Sequence, residues 1–402
     1  MKTQVFSGTS KGAAEIIKSG GLVAVPTETV YGLAGSGLNE QAVGMIYEVK
    51  GRPAVKPLSL MVHGSEAMDA LCLDVPEQAR TLAARFWPGP LTIVLKAKPE
   101  IPSIVLAGGS TVGLRCPDHP LTLELLRDCG LPLAAPSANP SDEESPKDAG
   151  KVLEYFDGKI DAVIDGGRCG LGRESTIIDM SKSPYRILRQ GALPAEDIAD
   201  ALVGGMKVIG ITGGTGCGKT TALQELEAMG ALVLDCDAIY HELLESSAEL
   251  LGEIENRFPD TVQDGKLNRK ALGAVVFADS AALSDLNAIT HKYVGLELQR
   301  RLREFAMTGG TLAAIDAIEL FSSGINGRCF KTVAVISNKE NRVKRIMARD
   351  GITREYALLR IAAQHDNGYY AERCDYTLYN NADMDSFRND CRQLFKEMFS
   401  NG

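Results

Sequence analysis

The run Gly213-Gly214-Thr215-Gly216-Cys217-Gly218-Lys219-Thr220 falls in the middle of a 402-residue chain, directly behind the strand-like Lys207-Val208-Ile209-Gly210-Ile211. A glycine-rich loop of this spacing, set between a strand and a helix, lets successive backbone N–H groups converge on phosphate oxygens with the positive end of the helix dipole behind them. Loops of this kind follow the first strand of their domain. The preceding residues must therefore fold as something else. The spacing predicts two α/β domains in series, residues 1–203 and 204–402, divided at the glycine pair Gly204-Gly205, with Met206 placed like the former start of an independent reading frame.

The loop predicts a specific division of labour. Gly213, Gly214, Thr215, Gly216, Cys217, Gly218, Lys219, Thr220 and Thr221 are expected around the ATP phosphates. Lys219 would reach the β- and γ-phosphates, and the Thr220 hydroxyl would sit on Mg²⁺. Behind the next strand-like run, Asp235-Cys236-Asp237 puts acids where an acceptor hydroxyl could be oriented and deprotonated by Asp237; a helix cap for the segment from Ala238 is the other reading. Thr311 to Asp316 is an apolar strand ending in an acid, which suits the Mg²⁺ shell through Asp316. Arg342, Arg345 and Arg349 are spaced by three and four residues and share one helical face, as a lid over transferring phosphates would need. Ser337-Asn338-Lys339-Glu340-Asn341 lacks the aspartate of a guanine-reading motif, which argues against a GTPase switch.

Composition excludes several classes. With 45% hydrophobic residues the chain can fill two ordinary cores, no apolar run approaches a membrane span, and the start Met1-Lys2-Thr3-Gln4 has no signal-peptide core. A cytoplasmic location without membrane association is expected. The nine cysteines stand singly, without a C-x-x-C pair, against a disulfide framework or zinc site. The net charge of −9 is shared almost equally by the two halves, so neither is a bulk polyanion binder.

In the first half, a helix over Gln41 to Val49 delivers Lys50, Arg52 and Lys56 on a segment broken by Gly51 and Pro53, which suggests an anion site. Pro26-Thr27-Glu28-Thr29, Pro136-Ser137-Ala138-Asn139 and Glu174-Ser175-Thr176 place hydroxyls and amides just after apolar strands, where α/β folds bind ligands. Ser141 to Asp148 reads as a polar loop suited to a mobile lid.

Those segments, with Lys50-Gly51-Arg52-Pro53, Trp87-Pro88-Gly89-Pro90-Leu91-Thr92 and Thr111 to Pro117, resemble the YrdC/Sua5 family of L-threonylcarbamoyladenylate synthases across residues 1 to about 202. The resemblance implies a twisted open α/β sheet and the joining of L-threonine, bicarbonate and ATP into threonylcarbamoyl-AMP, with release of pyrophosphate, for t6A modification of tRNA. It implies a nucleotide held by Lys50, Arg52, Lys56, Thr111, Ser137, Asn139, Ser145 and Arg189, with Lys50 and Arg52 offsetting charge during the reaction. It places Thr27, His63, Arg115, Ser175 and Thr176 around threonine. The run Ser141-Asp142-Glu143-Glu144 departs from the family's Ser-Gly pair and bears most on Ser145. The family also contains double-stranded-RNA-binding members, so an RNA module without synthase activity is the alternative, and tRNA or t6A-pathway proteins are candidate partners.

In the second half, the phosphate loop, Asp235-Cys236-Asp237 with His241, Leu267-Asn268-Arg269, His291 and Arg345-x-x-x-Arg349-Asp350-Gly351 resemble dephospho-CoA kinase from residue 206 to about 400. The resemblance implies a P-loop three-layer α/β/α fold with a helical lid and ATP-dependent phosphorylation of the ribose 3′-hydroxyl of dephospho-CoA. It makes Asp237 and Lys219 catalytic, adds Arg345 and Arg349 to the ATP site, and puts Asn380 at adenine. Glu319 and Ser322 depart from the family's D-x-P-L-L-F-E-S-G pattern, and Lys292 replaces a proline after His291, which leaves another nucleoside or nucleotide kinase as the alternative. ATP and Mg²⁺ are expected in both halves, and the two activities are expected to be independent.

Overall fold

A computed structural model of the chain describes residues 2–400. It separates into two compact units, one built on the chain up to Gly205 with Met307–Gly309, the other on Met206–Ala306 and the chain from Gly310 onward. Both are mixed α/β. No helix among the described residues is long and apolar enough to cross a membrane, and every cysteine is free.

The first unit is organised on one 11-stranded mixed sheet. Val23–Val25 is buried at every position, pairs antiparallel with Gly32–Ser36 and parallel with Ala162–Asp165, and packs on the helices Ala13–Lys18 and Pro120–Cys129. Farther along the sheet, Thr111–Arg115 lies between Ser59–Met61 and Leu91–Ala97, and Leu91–Ala97 continues parallel into Thr176–Asp179. The helix Glu40–Lys50 starts where the Asn39 side chain accepts from the Gln41 and Ala42 N–H groups, and it buries Ala42, Val43, Ile46 and Tyr47. It stops at Gly51, whose φ of 59° is left-handed and turns the chain so that Arg52 N–H donates back to Tyr47 O at 2.9 Å. That cap carries Lys50 inward and brings Arg52 against the segment that leads into Ser59–Met61.

The second unit has a five-stranded parallel sheet in the order Leu232–Asp235, Leu312–Asp316, Lys207–Thr212, Lys331–Ile336, Tyr376–Tyr379. Lys207–Thr212 is buried from Val208 onward, as a strand covered on both faces should be. Helices Lys219–Ala228 and Met384–Ser400 cover one face through Ala222, Leu223, Leu226, Phe387, Cys391 and Phe395. Helices from Cys236 to Val276 and the start of Ser280–Met307 bury a separate cluster around Leu250, Ile254, Leu272 and Ile289. Lys339–Asp350 and Arg354–Ala362 form a helix pair on Val343, Ile346 and Ala357. Helices thus flank a parallel sheet, in keeping with the α/β fold that the resemblance implied.

Candidate functional site

In the first unit the strands Ser59–Met61, Thr111–Arg115, Leu91–Ala97 and Thr176–Asp179 border a cavity of about 180 Å³ lined by Tyr31, Arg52, Ser59, Thr92, Arg115, Ser137, Glu174, Ser175 and Arg189 among others. Neither cysteine nor histidine lines it. Arg115 is only 7% exposed. Its Nη2 donates to Glu28 Oε1 at 2.7 Å and to Thr29 Oγ1 at 2.8 Å, and its Nε to Gly89 O at 3.3 Å. Arg189 donates to Glu174, to Ser175 O at 3.1 Å through Nε, and to Ser175 Oγ at 3.2 Å. The Ser175 and Thr92 hydroxyls lie 2.9 Å apart.

Lys50 is buried, and its ammonium donates to the carbonyls of both Ser137 and Asn139, so it holds the loop that carries those residues. Burial, with Arg52 adding to it, pulls its pKa down to about 8. Arg52 donates to Lys56 O at 3.1 Å and Pro57 O at 2.8 Å. The Asn139 side chain gives its N–H groups to Pro140 O and Glu143 O, both at 2.8 Å, while its buried Oδ1 has no hydrogen-bond partner.

Other expected residues stand apart from the cavity. Thr176 follows Ser175 on an extended strand, so its side chain takes the opposite face and donates to Leu193 O at 2.6 Å; only one hydroxyl of that pair faces the site. His63 lies two residues beyond the strand Ser59–Met61, on another surface, with Nε2 3.3 Å from Arg127 and Nδ1 4.0 Å from Glu66. Thr27 is buried and donates to Val30 O at 2.6 Å, behind the site beside Thr29. Thr111 shares a sheet face with Arg115 but begins the strand that Arg115 ends. Lys56 is half exposed and 4.0 Å from Asp142, and Ser145 donates to Glu174 Oε1 at 3.1 Å. Glu28, Thr92 and Glu174 were not predicted as site residues. Each lies inside a segment singled out above, but only the fold shows that a carboxylate stands on Arg115 and another on Arg189.

In the second unit the phosphate loop has the expected shape. Gly213 has φ 135°, and a Cβ there would come within 2.1 Å of Val335 O; Gly218 has φ 103°, and a Cβ would meet Asn380 Nδ2 at 2.0 Å. Lys219 Nζ donates to Gly213 O at 3.1 Å and lies 3.7 Å from Asp316 Oδ1, both side chains being largely buried. Parallel register sets Asp235 beside Asp316 at the strand ends. Burial raises the Asp316 pKa to about 6 against the pull of Lys219, with Asp235 and Asp237 adding to the rise, and its Oδ1 has no hydrogen-bond partner. Asp235, not Asp237, caps the helix Cys236–Ser246, accepting from the Asp237 and Ala238 N–H groups at 2.9 and 3.0 Å. The exposed carboxylate of Asp237 is thereby left out of the cap. Thr220 is exposed beside the loop, whereas Thr221 is buried against Met384.

The arginine helix corrects the sequence reading. Arg342 donates to Thr215 O at 2.9 Å, and Arg345 to Gly216 O at 3.4 Å, Cys217 O at 3.3 Å and Asn380 Oδ1 at 2.9 Å. These guanidiniums grip the outward-facing carbonyls of the loop instead of covering its phosphate side. Arg349, one turn farther, is exposed and paired with Asp350. Asn380 also holds the loop, its Nδ2 donating to Cys217 O at 2.9 Å. Gln364 completes the belt by accepting from Thr215 N–H at 2.8 Å and donating to Thr215 Oγ1 at 2.9 Å.

Comparison with known proteins agrees with the two-part construction. Residues 15–191 match the Sua5/YciO/YrdC family model, described as "Telomere recombination", and residues 207–386 match the CoaE model, described as "Dephospho-CoA kinase". A threonylcarbamoyl-AMP synthase of Pyrococcus abyssi is 46% identical over 49% of this chain and 57% of its own length. The chain thus spans just over half of that relative. A Methanocaldococcus jannaschii protein that bears the same name provisionally is 37% identical over 46% of this chain, with 86% of its length covered. A dephospho-CoA kinase of Geobacter sulfurreducens is 33% identical over 48% of this chain, its whole length being covered. The chain belongs to the Sua5/YciO/YrdC family through its first half and to the dephospho-CoA kinase family through its second.

Proposed function

We propose that the chain is a bifunctional enzyme. The first half converts L-threonine, bicarbonate and ATP into threonylcarbamoyl-AMP and pyrophosphate for t6A modification of tRNA; the second transfers a phosphoryl group from ATP to the ribose 3′-hydroxyl of dephospho-CoA. For the first half, the observation that carries the reading is a cavity with Arg52, Arg115 and Arg189 at its wall, Lys50 behind it, and no cysteine or histidine nucleophile. Such a site acts by neutralising charge and aligning reactants. The threonine amine, once deprotonated, condenses with bicarbonate to the N-carboxylate with loss of water; an oxygen of that carbamate attacks the α-phosphorus of ATP, the C–O–P linkage forms, and the bond to pyrophosphate breaks. Arg115 takes the threonine carboxylate, Lys50, Arg52 and Arg189 offset phosphate charge with Lys56 at the rim, and the unpartnered Asn139 Oδ1 accepts from the nucleotide. Ser137 and Ser175 supply hydroxyls to the same space.

For the second half, the carrying observation is the shaped loop with Lys219 inside it and three aspartates at the neighbouring strand ends. Loop N–H groups and Lys219 bind the phosphates, and Asp237 orients the acceptor hydroxyl and takes its proton. Thr220 and Asp316 Oδ1, which accepts no hydrogen bond and has only the Lys219 ammonium at 3.7 Å, suit a Mg²⁺ ion accompanying ATP. That ion would neutralise phosphate charge. Two assays test the pair: pyrophosphate release that requires both threonine and bicarbonate, and gain of one phosphate by dephospho-CoA with MgATP, read by mass spectrometry. Absence of either rejects that half of the reading.

Lys50 gives the first site a pH signature. Burial depresses its pKa to about 8, so near pH 8 it is only partly charged, and a bound polyphosphate favours the charged form. ATP binding there is expected to take up a proton around pH 8 and to weaken as pH rises further. Calorimetric titration in two buffers of different ionisation heat measures the uptake, and Lys50→Met should remove it.

A further inference from the structure

We propose that Glu174 is an internal competitor of the nucleotide in the first site, holding Arg189 and Ser145 until a phosphate takes both from it. The inference rests on the ATP reading of this cavity and adds a carboxylate that the ligand must displace. Glu174 and Arg189 both line the cavity, and Glu174 is the one carboxylate among the described residues that do so. Arg189 Nη1 donates to its Oε2, and Ser145 Oγ donates to its Oε1 at 3.1 Å. Donors from the segment Ser141 to Asp148 and from the strand Arg186–Arg189 thus meet on one small anion. Both donors are residues expected at the nucleotide, and a phosphate oxygen in place of the carboxylate offers them the same kind of acceptor with more charge.

Neither donor depends on Glu174 for its position. Arg189 Nε and Nη2 donate to Ser175 O at 3.1 and 3.0 Å, and Nη2 also donates to Ser175 Oγ at 3.2 Å. Ser145 precedes Pro146, whose carbonyl accepts from Tyr31 N–H at 2.9 Å. The backbone of Glu174 is fixed as well: its carbonyl accepts from Ala192 N–H at 2.8 Å, and a Cβ at Gly191 would lie 2.3 Å from that oxygen. Only the side chain is left to move. It is 36% exposed against 41% for Arg189, so rotation about its own torsions turns the carboxylate to water while both donors stay in place. An ion pair this exposed is worth at most about fivefold in an equilibrium constant, about 1 kcal/mol, which a polyphosphate can overcome. The pair of Arg115 with Glu28 differs, being 9% and 14% exposed, and is not released in this way. Burial pulls the pKa values of Lys50 and Arg52 down, and Glu174 opposes the fall at both, so its charge is felt across the cation cluster. Turning it outward leaves Arg189, Arg52 and Lys50 to the nucleotide together.

The test measures how α,β-methylene-ATP, which cannot be cleaved at the reacting bond, inhibits pyrophosphate release that requires threonine and bicarbonate. That assay reads the first site alone, without the phosphate loop of the second half. In Glu174→Gln, which keeps the shape and removes the charge, the inhibition constant is expected to fall about threefold to fivefold. Asp142→Asn is the control: it removes a charge 4.0 Å from Lys56 but frees neither Arg189 nor Ser145, and should change the constant by less than about twofold. An unchanged or higher constant in Glu174→Gln would overturn the proposal, and so would an equal fall in Asp142→Asn, which would show an effect of charge alone. Loss of activity in a folded Glu174→Gln protein also counts against it, because a competitor is dispensable to the chemistry. Glu174→Ala, which removes the group entirely, should lower the constant at least as far; a rise would show that Glu174 positions Arg189 instead. Failure of wild type to release pyrophosphate with threonine and bicarbonate would reject the underlying reading of the site, and the proposal with it.

Discussion

Lys219→Ala is expected to lower phosphorylation of dephospho-CoA by about 10³-fold, the scale for removing one preorganised charge from a transferring group. Lys219 lies between Gly213 O at 3.1 Å and Asp316 at 3.7 Å, so it is placed by the loop and is not a mobile surface cation. Its loss also leaves the buried Asp316 carboxylate without its compensating cation, and the rise already imposed on that pKa should increase. The same preparation should release pyrophosphate with threonine and bicarbonate at the wild-type rate. Loss of both activities in a folded protein would contradict the independence of the two halves.

Lys50→Ala should have the corresponding effect on the first half, about 10²- to 10³-fold on threonine-dependent pyrophosphate release, and it should also cost stability. The ammonium satisfies the carbonyls of Ser137 and Asn139, and leaving a buried acceptor unpaired costs about 1–3 kcal/mol. The melting transition of the first unit should therefore fall together with the rate. Lys56→Ala, on an exposed side chain 4.0 Å from Asp142, should change both much less. A Lys50 variant that melts like wild type and keeps its rate would remove this residue from the site.

What the sequence made legible was local. The phosphate loop could be read because its glycines, lysine and following helix act within one turn of chain, and Lys50-Gly51-Arg52 because a helix end and a left-handed glycine are neighbours. Partners across the fold were not legible. The spacing of Arg342, Arg345 and Arg349 correctly placed them on one helical face, yet it carries no information about what that face meets. The helix simply extends past the loop, so Arg349 reaches solvent. Thr176 was grouped with Ser175 because both are hydroxyls, whereas adjacent residues on a strand cannot share a face. The acids of Asp235-Cys236-Asp237 could be read as chemistry or as a helix cap, and only the backbone at Asp235, extended at φ −91° and ψ 112°, shows that Asp235 makes the cap. The carboxylates on Arg115 and Arg189 come from segments 87 and 15 residues away, and the former pairing is invisible to any local pattern.

The belt around the phosphate loop has a consequence for the order in which the second half is completed. Thr215, Gly216 and Cys217 are held by Arg342, Arg345, Gln364 and Asn380, groups that lie between 127 and 163 residues farther along the chain. During synthesis the loop emerges long before its clamps exist. A nascent or truncated chain ending before Lys339 would contain every residue of the motif and still lack the contacts that hold the carbonyls of Thr215, Gly216 and Cys217. Nucleotide binding by this half should therefore appear late and abruptly as the chain lengthens, after the strand Tyr376–Tyr379 has docked, because contacts this distant in sequence form only after the intervening chain is in place.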